Sequence, residues 1–192
     1  DVYKRQTINS SASVIISNTI PIVDAVTLSP IDAVVSDTIV CSAVVTDPDT
    51  EQVIENKFTW KKNSSDEDTW KDLTEISGEF SKGDTITCQV TPYDGVDLGV
   101  VQALTIVISN AKPTVDSIAF VETELYASST AEVVVSGSDR DGEGVIFQYD
   151  WYRKRDQTVD LVQSGGLHSL DSSFLEKDDI IYVEVFANDG VE

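Results

Sequence analysis

Basic residues are scarce in this 192-residue chain: 13 Lys and Arg stand against 34 Asp and Glu, a formal charge of −21. Neutralising phosphates requires basic patches, so nucleic acid is not expected as a partner. Methionine is absent, histidine occurs once and cysteine twice. With His168 as the lone imidazole and no nucleophile motif, no Ser/His/Asp constellation can be assembled. Asp and Glu are spread so evenly that spacing singles out no acid–base pair, and an enzyme is not expected. No stretch approaches the roughly 20 apolar residues of a membrane span, so this stretch of chain is not expected to insert into a bilayer. No segment of helical length carries a helical period.

What is abundant is β-branched. The chain holds 26 Val and 16 Ile against 9 Leu, and a branched Cβ fits a pleated strand better than a helix. Short strand signals recur at regular spacing: Pro21–Leu28, Thr38–Thr46, Asn56–Lys62, a weak edge around Thr69–Ile76, Asp84–Pro92 and Val100–Ser109. Within Thr85–Val90 the period is two, with Ile86, Cys88 and Val90 on one face and Thr85, Thr87 and Gln89 on the other. Turn chemistry at Asp47-Pro48, Ser77-Gly78, Lys82-Gly83-Asp84 and Asp94-Gly95 separates the runs.

The chain repeats itself. SNTIPIVDAVTLSP from Ser17 returns as SNAKPTVDSIAFVE from Ser109, an offset of 92. Thr46–Asp49 (TDPD) maps to Ser138–Asp141 (SDRD), and Trp60 maps to Trp151. DTITCQVTPYDGVD from Asp84 maps to DIIYVEVFANDGVE from Asp179, an offset of 95. Such self-similarity predicts tandem domains of about 90 residues, 19–110 and 111–192. Residues 7–18 match the end of the first copy and read as the last strand of a preceding copy. The second copy reaches DGVE without a match for its final strand. These cuts, with the missing initiator Met, predict a piece of a longer array. Asp1–Gln6 (DVYKRQ) resembles a translated sequencing-adapter scar and is set aside from fold reasoning. The two copies carry 5 basic with 16 acidic and 6 basic with 17 acidic residues, an even acidity that suits a solvated exterior.

Carboxylates gather in equivalent loops. Asp47 and Asp49 follow the second strand of copy one, and Asp139, Asp141 and Glu143 follow it in copy two. Asp94 and Asp189 follow the later strand ending in DG. In a sandwich these loops share the end at which the first strand starts, Asn18–Pro21 or Asn110–Pro113, so the carboxylates are expected at joints between copies. Hard oxygen ligands there suit Ca²⁺; the alternative is that Asp and Gly simply cap turns. Asp139-x-Asp141-Gly142 resembles the opening of an EF-hand loop without its distal Glu. Matched repeat positions assign Trp60, Trp151, Phe58, Tyr149, Phe80 and Phe174 to cores. Trp70 has no match and is the aromatic to consider for a surface ligand contact. Arg153-Lys154-Arg155 reads as a solvated edge that discourages strand pairing, and His168 as a loop residue.

SNTIP-VDAVTLSP, the D-x-D loop, Trp60, SKGDTITCQVTPYDG and TIVISN together resemble the tandem immunoglobulin-like, PKD-like repeats of large bacterial surface and secreted proteins. The resemblance covers residues 7–192 and implies an all-β string of immunoglobulin-like β-sandwiches. The Cys41…Trp60…Cys88 order matches that fold and implies a Cys41–Cys88 disulfide, with two buried thiols as the alternative. The matching positions in copy two are Val133 and Val183, and Ile86 stands where a tyrosine corner would need Tyr. A disulfide would place the chain outside the reducing cytosol. The family implies a non-catalytic extracellular or cell-surface stalk or spacer whose partners are neighbouring repeats. Its alternative is an adhesin or carbohydrate-binding appendage that meets a surface protein or glycan.

Overall fold

The computed structural model describes residues 9–49, 51–78 and 80–191. The adapter-like Asp1–Gln6 segment therefore lies outside the described residues. The chain is all-β, as its β-branched excess requires. In the first half the strands are β1 (Ile22–Ser29), β2 (Ile39–Thr46), β3 (Glu55–Lys62), β4 (Ser65–Asp66), β5 (Glu75–Ile76), β6 (Thr85–Tyr93) and β7 (Gln102–Val107). In the second they are β8 (Thr114–Phe120), β9 (Ala131–Ser138), β10 (Ile146–Arg155), β11 (Thr158–Gly165), β12 (Ser169–Leu170) and β13 (Ile180–Asn188). The weak edge expected at Thr69–Ile76 is a short 3₁₀ turn (Asp68–Trp70) followed by two-residue β5. Residues 9–18 join no sheet, and Val14, Ile15 and Ile16 stand exposed.

Among the described residues the strands form antiparallel sheets in the orders β1-β2-β5, β4-β3-β6-β7, β12-β9-β8 and β11-β10-β13. Each strand alternates, so each sheet has one apolar face to bury. The first core takes Val23, Leu28, Ile39, Cys41 and Ile76 from one sheet and Phe58, Trp60, Ile86, Cys88, Val90 and Ile106 from the other. The second takes Ala131, Val133 and Leu170 from one and Tyr149 and Trp151 from the other. Facing sheets with one shared core each are the β-sandwich arrangement. The repeat is visible in detail. β1 and β8 both break register against their partners, between Val23 and Ala25 and between Val115 and Ser117. Each indole is buried and donates to a backbone carbonyl, Trp60 to Leu73 at 2.9 Å and Trp151 to Leu167 at 3.1 Å. Phe58, Phe80 and Tyr149 are buried, while Phe174 packs half-buried on the second core.

Cys41 on β2 and Cys88 on β6 form a disulfide that ties the two sheets of the first core together. It joins positions 47 apart in the sequence, and closing that loop removes chain entropy from the unfolded state. The second half has no equivalent cross-link, because valines stand there.

Two features depart from expectation. Arg153-Lys154-Arg155 is not a solvated edge: β10 is the central strand of its sheet, paired with both β11 and β13. A tight turn at Asp156-Gln157, with Asp156 at φ 52°, folds β11 back along it. The two arginines are paired, Arg155 with Asp179 at 2.8 Å and Glu176 at 3.0 Å, and Arg153 with Asp160 at 3.4 Å. The second departure concerns burial. Ile86, Cys88 and Val90 of β6 are fully buried, whereas Ile181, Val183 and Val185 of β13 are only partly so. β6 is covered along one edge by β7, and Ile108 beyond it bonds Asp84 and Gly83. Among the described residues β13 pairs only with β10, as the repeat alignment expects. A cavity of about 440 Å³ lies there, lined by Phe120, Leu125, Tyr126, Leu175 and Ile181 among others.

Reduction, or replacement of both cysteines by valine in imitation of the second half, is expected to cost the first core about 2–4 kcal/mol. Urea unfolding followed by Trp60 fluorescence reads this; an unchanged midpoint would show the cross-link to be idle. Acid is a second lever. Arg155 hydrogen bonds hold Asp179 down at about 2 despite the opposing effect of burial. For Asp84, burial pushes upward but hydrogen bonds from Asn63, Ser81 and Lys62 prevail and lower it. A carboxylate depressed on folding stabilises above its unfolded value near 4 and loses that contribution as pH falls through the folded one. Melting midpoints should therefore drop between about pH 4 and 2, and less steeply for Arg155→Gln.

Candidate functional site

The carboxylates singled out by sequence meet the start of each sandwich through one set of hydrogen bonds made twice. Asp side chains readily accept from an N–H two residues on, which folds their loops locally. Asp47 does this to Asp49 N–H at 2.8 Å, and Asp139 to Asp141 N–H at 2.7 Å. Asp94 does it to Val96 at 2.7 Å, and Asp189 to Val191 at 2.8 Å. The remaining oxygens grip the incoming chain. Asp49 accepts from Thr19 N–H at 2.7 Å and Asp141 from Ala111 N–H at 2.6 Å. Asn18 Nδ2 donates to Asp94 at 3.0 Å and Asn110 Nδ2 to Asp189 at 2.7 Å. These asparagine hydrogen bonds are the leading cause that holds the pKa values of Asp94 and Asp189 below the usual carboxylate range.

The two joints differ in what is left over. At the second, Asn110 Oδ1, Asp139 Oδ2 and Asp141 Oδ1 each expose less than 1 Å² and have no hydrogen-bond donor. Asp139, Asp141 and Glu143 bring one oxygen apiece to within 4.8 Å of one another. At the first, Gln52 Nε2 donates to Asn18 Oδ1 at 2.6 Å, so that amide oxygen is satisfied from within. The repeat places Gly144 opposite Gln52, and glycine has no side-chain amide to offer. Asp47 Oδ2 and Gln52 Oε1 remain unpartnered there, but Asp47, Asp49 and Asp94 do not form a ligand cluster among the described residues.

One cation already reaches the second joint from the first half. Lys82 Nζ lies 2.7 and 3.0 Å from the two oxygens of Glu143. That hydrogen bond raises the lysine's pKa; burial opposes it, and the charges of Glu143, Asp141 and Asp189 add to it. Arg140, inside the D-x-D loop, donates to Ser36 Oγ at 3.1 Å.

Buried oxygens without donors are costly, and a group of them from separate segments calls for a positive partner. Carboxylates with an amide carbonyl are the donor set of a hard cation such as Ca²⁺. Sequence reasoning found the carboxylates and set Asn18 and Asn110 at the strand entrances, but gave no role to these amides and did not find Gln52. The signal available was the Ser-Asn pair that stands immediately before both copies. Trp70, considered for a ligand, packs half-buried on the first core with its ring edge-on to Phe80 at 5.8 Å. His168 is exposed and pairs with Glu132 at 3.2 Å.

No protein-family model matches the chain, and no curated protein matches it.

Gln52→Ala should leave Asn18 Oδ1 without its donor and cost roughly 1–3 kcal/mol. Urea titration of the wild type and variant checks it; an unchanged midpoint would mean water replaces the amide freely.

Proposed function

We propose that this chain is a non-catalytic repeat module: two tandem immunoglobulin-like sandwiches, 19–110 and 111–192, serving as a stalk or spacer in a secreted or surface protein of a bacterium. The observation that carries this reading is the doubled joint. Each copy clamps its own incoming chain to its D-x-D and D-G loops by the same hydrogen bonds, Thr19 to Asp49 and Ala111 to Asp141. A joint so tied sets the direction in which one sandwich follows another, and proline at positions 21 and 113 stiffens φ just beyond it. The disulfide supports an oxidising, extracytosolic setting. The acidity of both copies supports a solvated exterior without a dedicated patch.

The second joint is where an ion would act. Asp139, Asp141 and Glu143, with Asn110, would hold Ca²⁺, which accepts six to eight oxygens in a flexible shell. Bound there, the ion supplies the positive charge those oxygens lack and fastens loop to linker.

Thermal melting tests both parts. Millimolar CaCl₂ is expected to raise the midpoint of the wild-type chain through mass action. An Asp139→Asn/Asp141→Asn variant should not respond. Soluble cellulose, chitin and host-matrix oligosaccharides should shift nothing. An indifferent wild type would remove the ion, and a shift with a glycan would replace the spacer by a binding module.

A further inference from the structure

We propose that Lys82 is a built-in competitor for the cation of the second joint: ammonium and Ca²⁺ alternate on Glu143, so loading the joint releases the bridge between the two sandwiches. This rests on the cation reading above. Lys82 sits in the Lys82-Gly83-Asp84 turn before β6, where Gly83 takes φ 86°. Glu143 belongs to the loop after β9, 61 residues away in sequence. The pair is half-exposed, at 31% and 33%, so either side chain can leave without stranding a charge in a dry interior.

The competition follows from geometry. Glu143 supplies one of the three oxygens gathered within 4.8 Å, yet both of its oxygens are held by Lys82. A divalent ion placed among Asp139, Asp141 and Glu143 therefore meets an ammonium on the same carboxylate. Like charges at such a distance repel, and the singly charged partner is the one on a flexible stem. The three donorless oxygens, by contrast, belong to Asn110, Asp139 and Asp141, none of which Lys82 satisfies. The lysine neutralises the joint in charge without completing it.

The repeat carries both halves of the device. Lys177 occupies the place of Lys82 in the second copy, and Glu51 the place of Glu143 in the first. Each copy thus offers a lysine at one end and a glutamate at the other. What differs is Gln52, whose amide completes Asn18 at the first joint. The chain is accordingly expected to take one Ca²⁺, at the second joint.

Calorimetric titration with CaCl₂ at ionic strength fixed by KCl, on wild type, Lys82→Met and Lys82→Arg, tests this. Removing the charge should tighten binding by roughly tenfold, whereas Lys82→Arg should stay near wild type. Small-angle scattering supplies a readout that a merely structural lysine would not move. Ca²⁺ should change the wild-type profile, and Lys82→Met without Ca²⁺ should already resemble the loaded wild type. Binding by Lys82→Met alone would support the competition outright. Equal or weaker binding by Lys82→Met overturns it while leaving the cation site standing. Absence of binding in all three chains removes the site and the competition together.

Discussion

A strand whose side chains alternate can hide only one of its faces, so each sheet must find a second layer before the chain gains anything from folding. In the first half that demand is met on every side. Trp60, Cys88 and Ile86 of one sheet meet Cys41 and Ile39 of the other at almost zero exposure, and β7 seals the open flank of β6. The second half meets the same demand with less. Trp151 and Leu170 are fully enclosed, but the inward side chains of β13 remain partly wet because no described strand lies along its far edge. Burial thus tracks strand count, and the valines at 133 and 183 supply packing without the covalent tie.

Much of this was legible because it depends on local rules. Period-two runs placed β2, β3 and β6 within a residue or so of where they lie, and turn residues marked their ends. The Cys-Trp-Cys order on matched strands anticipated the disulfide. What the residue string concealed depends on partners. Arg153, Lys154 and Arg155 look like edge protection when taken alone; the acidic residues that pair with Arg153 and Arg155 come from β11 and from the loop just before β13. Asp156-Gln157 is a hairpin turn without the glycine that usually advertises one, so β11 went unseen. Trp70 seemed unmatched and therefore free, but a half-buried ring against Phe80 needs no repeat counterpart to have a place.

The joint shows the same division. Carboxylates announce themselves by charge, and their loops by Asp and Gly. Amides do not. Asn18, Asn110 and Gln52 are ordinary residues in sequence, yet they decide whether each joint is complete. The bonds of Asn110 and Ala111 to Asp189 and Asp141 convert a linker into part of a sandwich, which is why the direction of the chain at that point is a property of the fold and not of linker stiffness alone.

Two nearly identical joints then solve one electrostatic problem differently. Each gathers negative oxygens where the chain enters a sandwich, and water is kept from several of them. At the first joint an internal amide, which travels with the chain, satisfies Asn18 Oδ1 but leaves Asp47 Oδ2 and Gln52 Oε1 without donors. A cation is the solution that responds to its surroundings. Lys82 stands between these cases: it is tethered like an amide and charged like an ion, but it reaches Glu143 and none of the three donorless oxygens. A remedy of that kind links the two halves through one partly exposed ion pair, worth little by itself, and leaves the buried oxygens of the second joint without a donor.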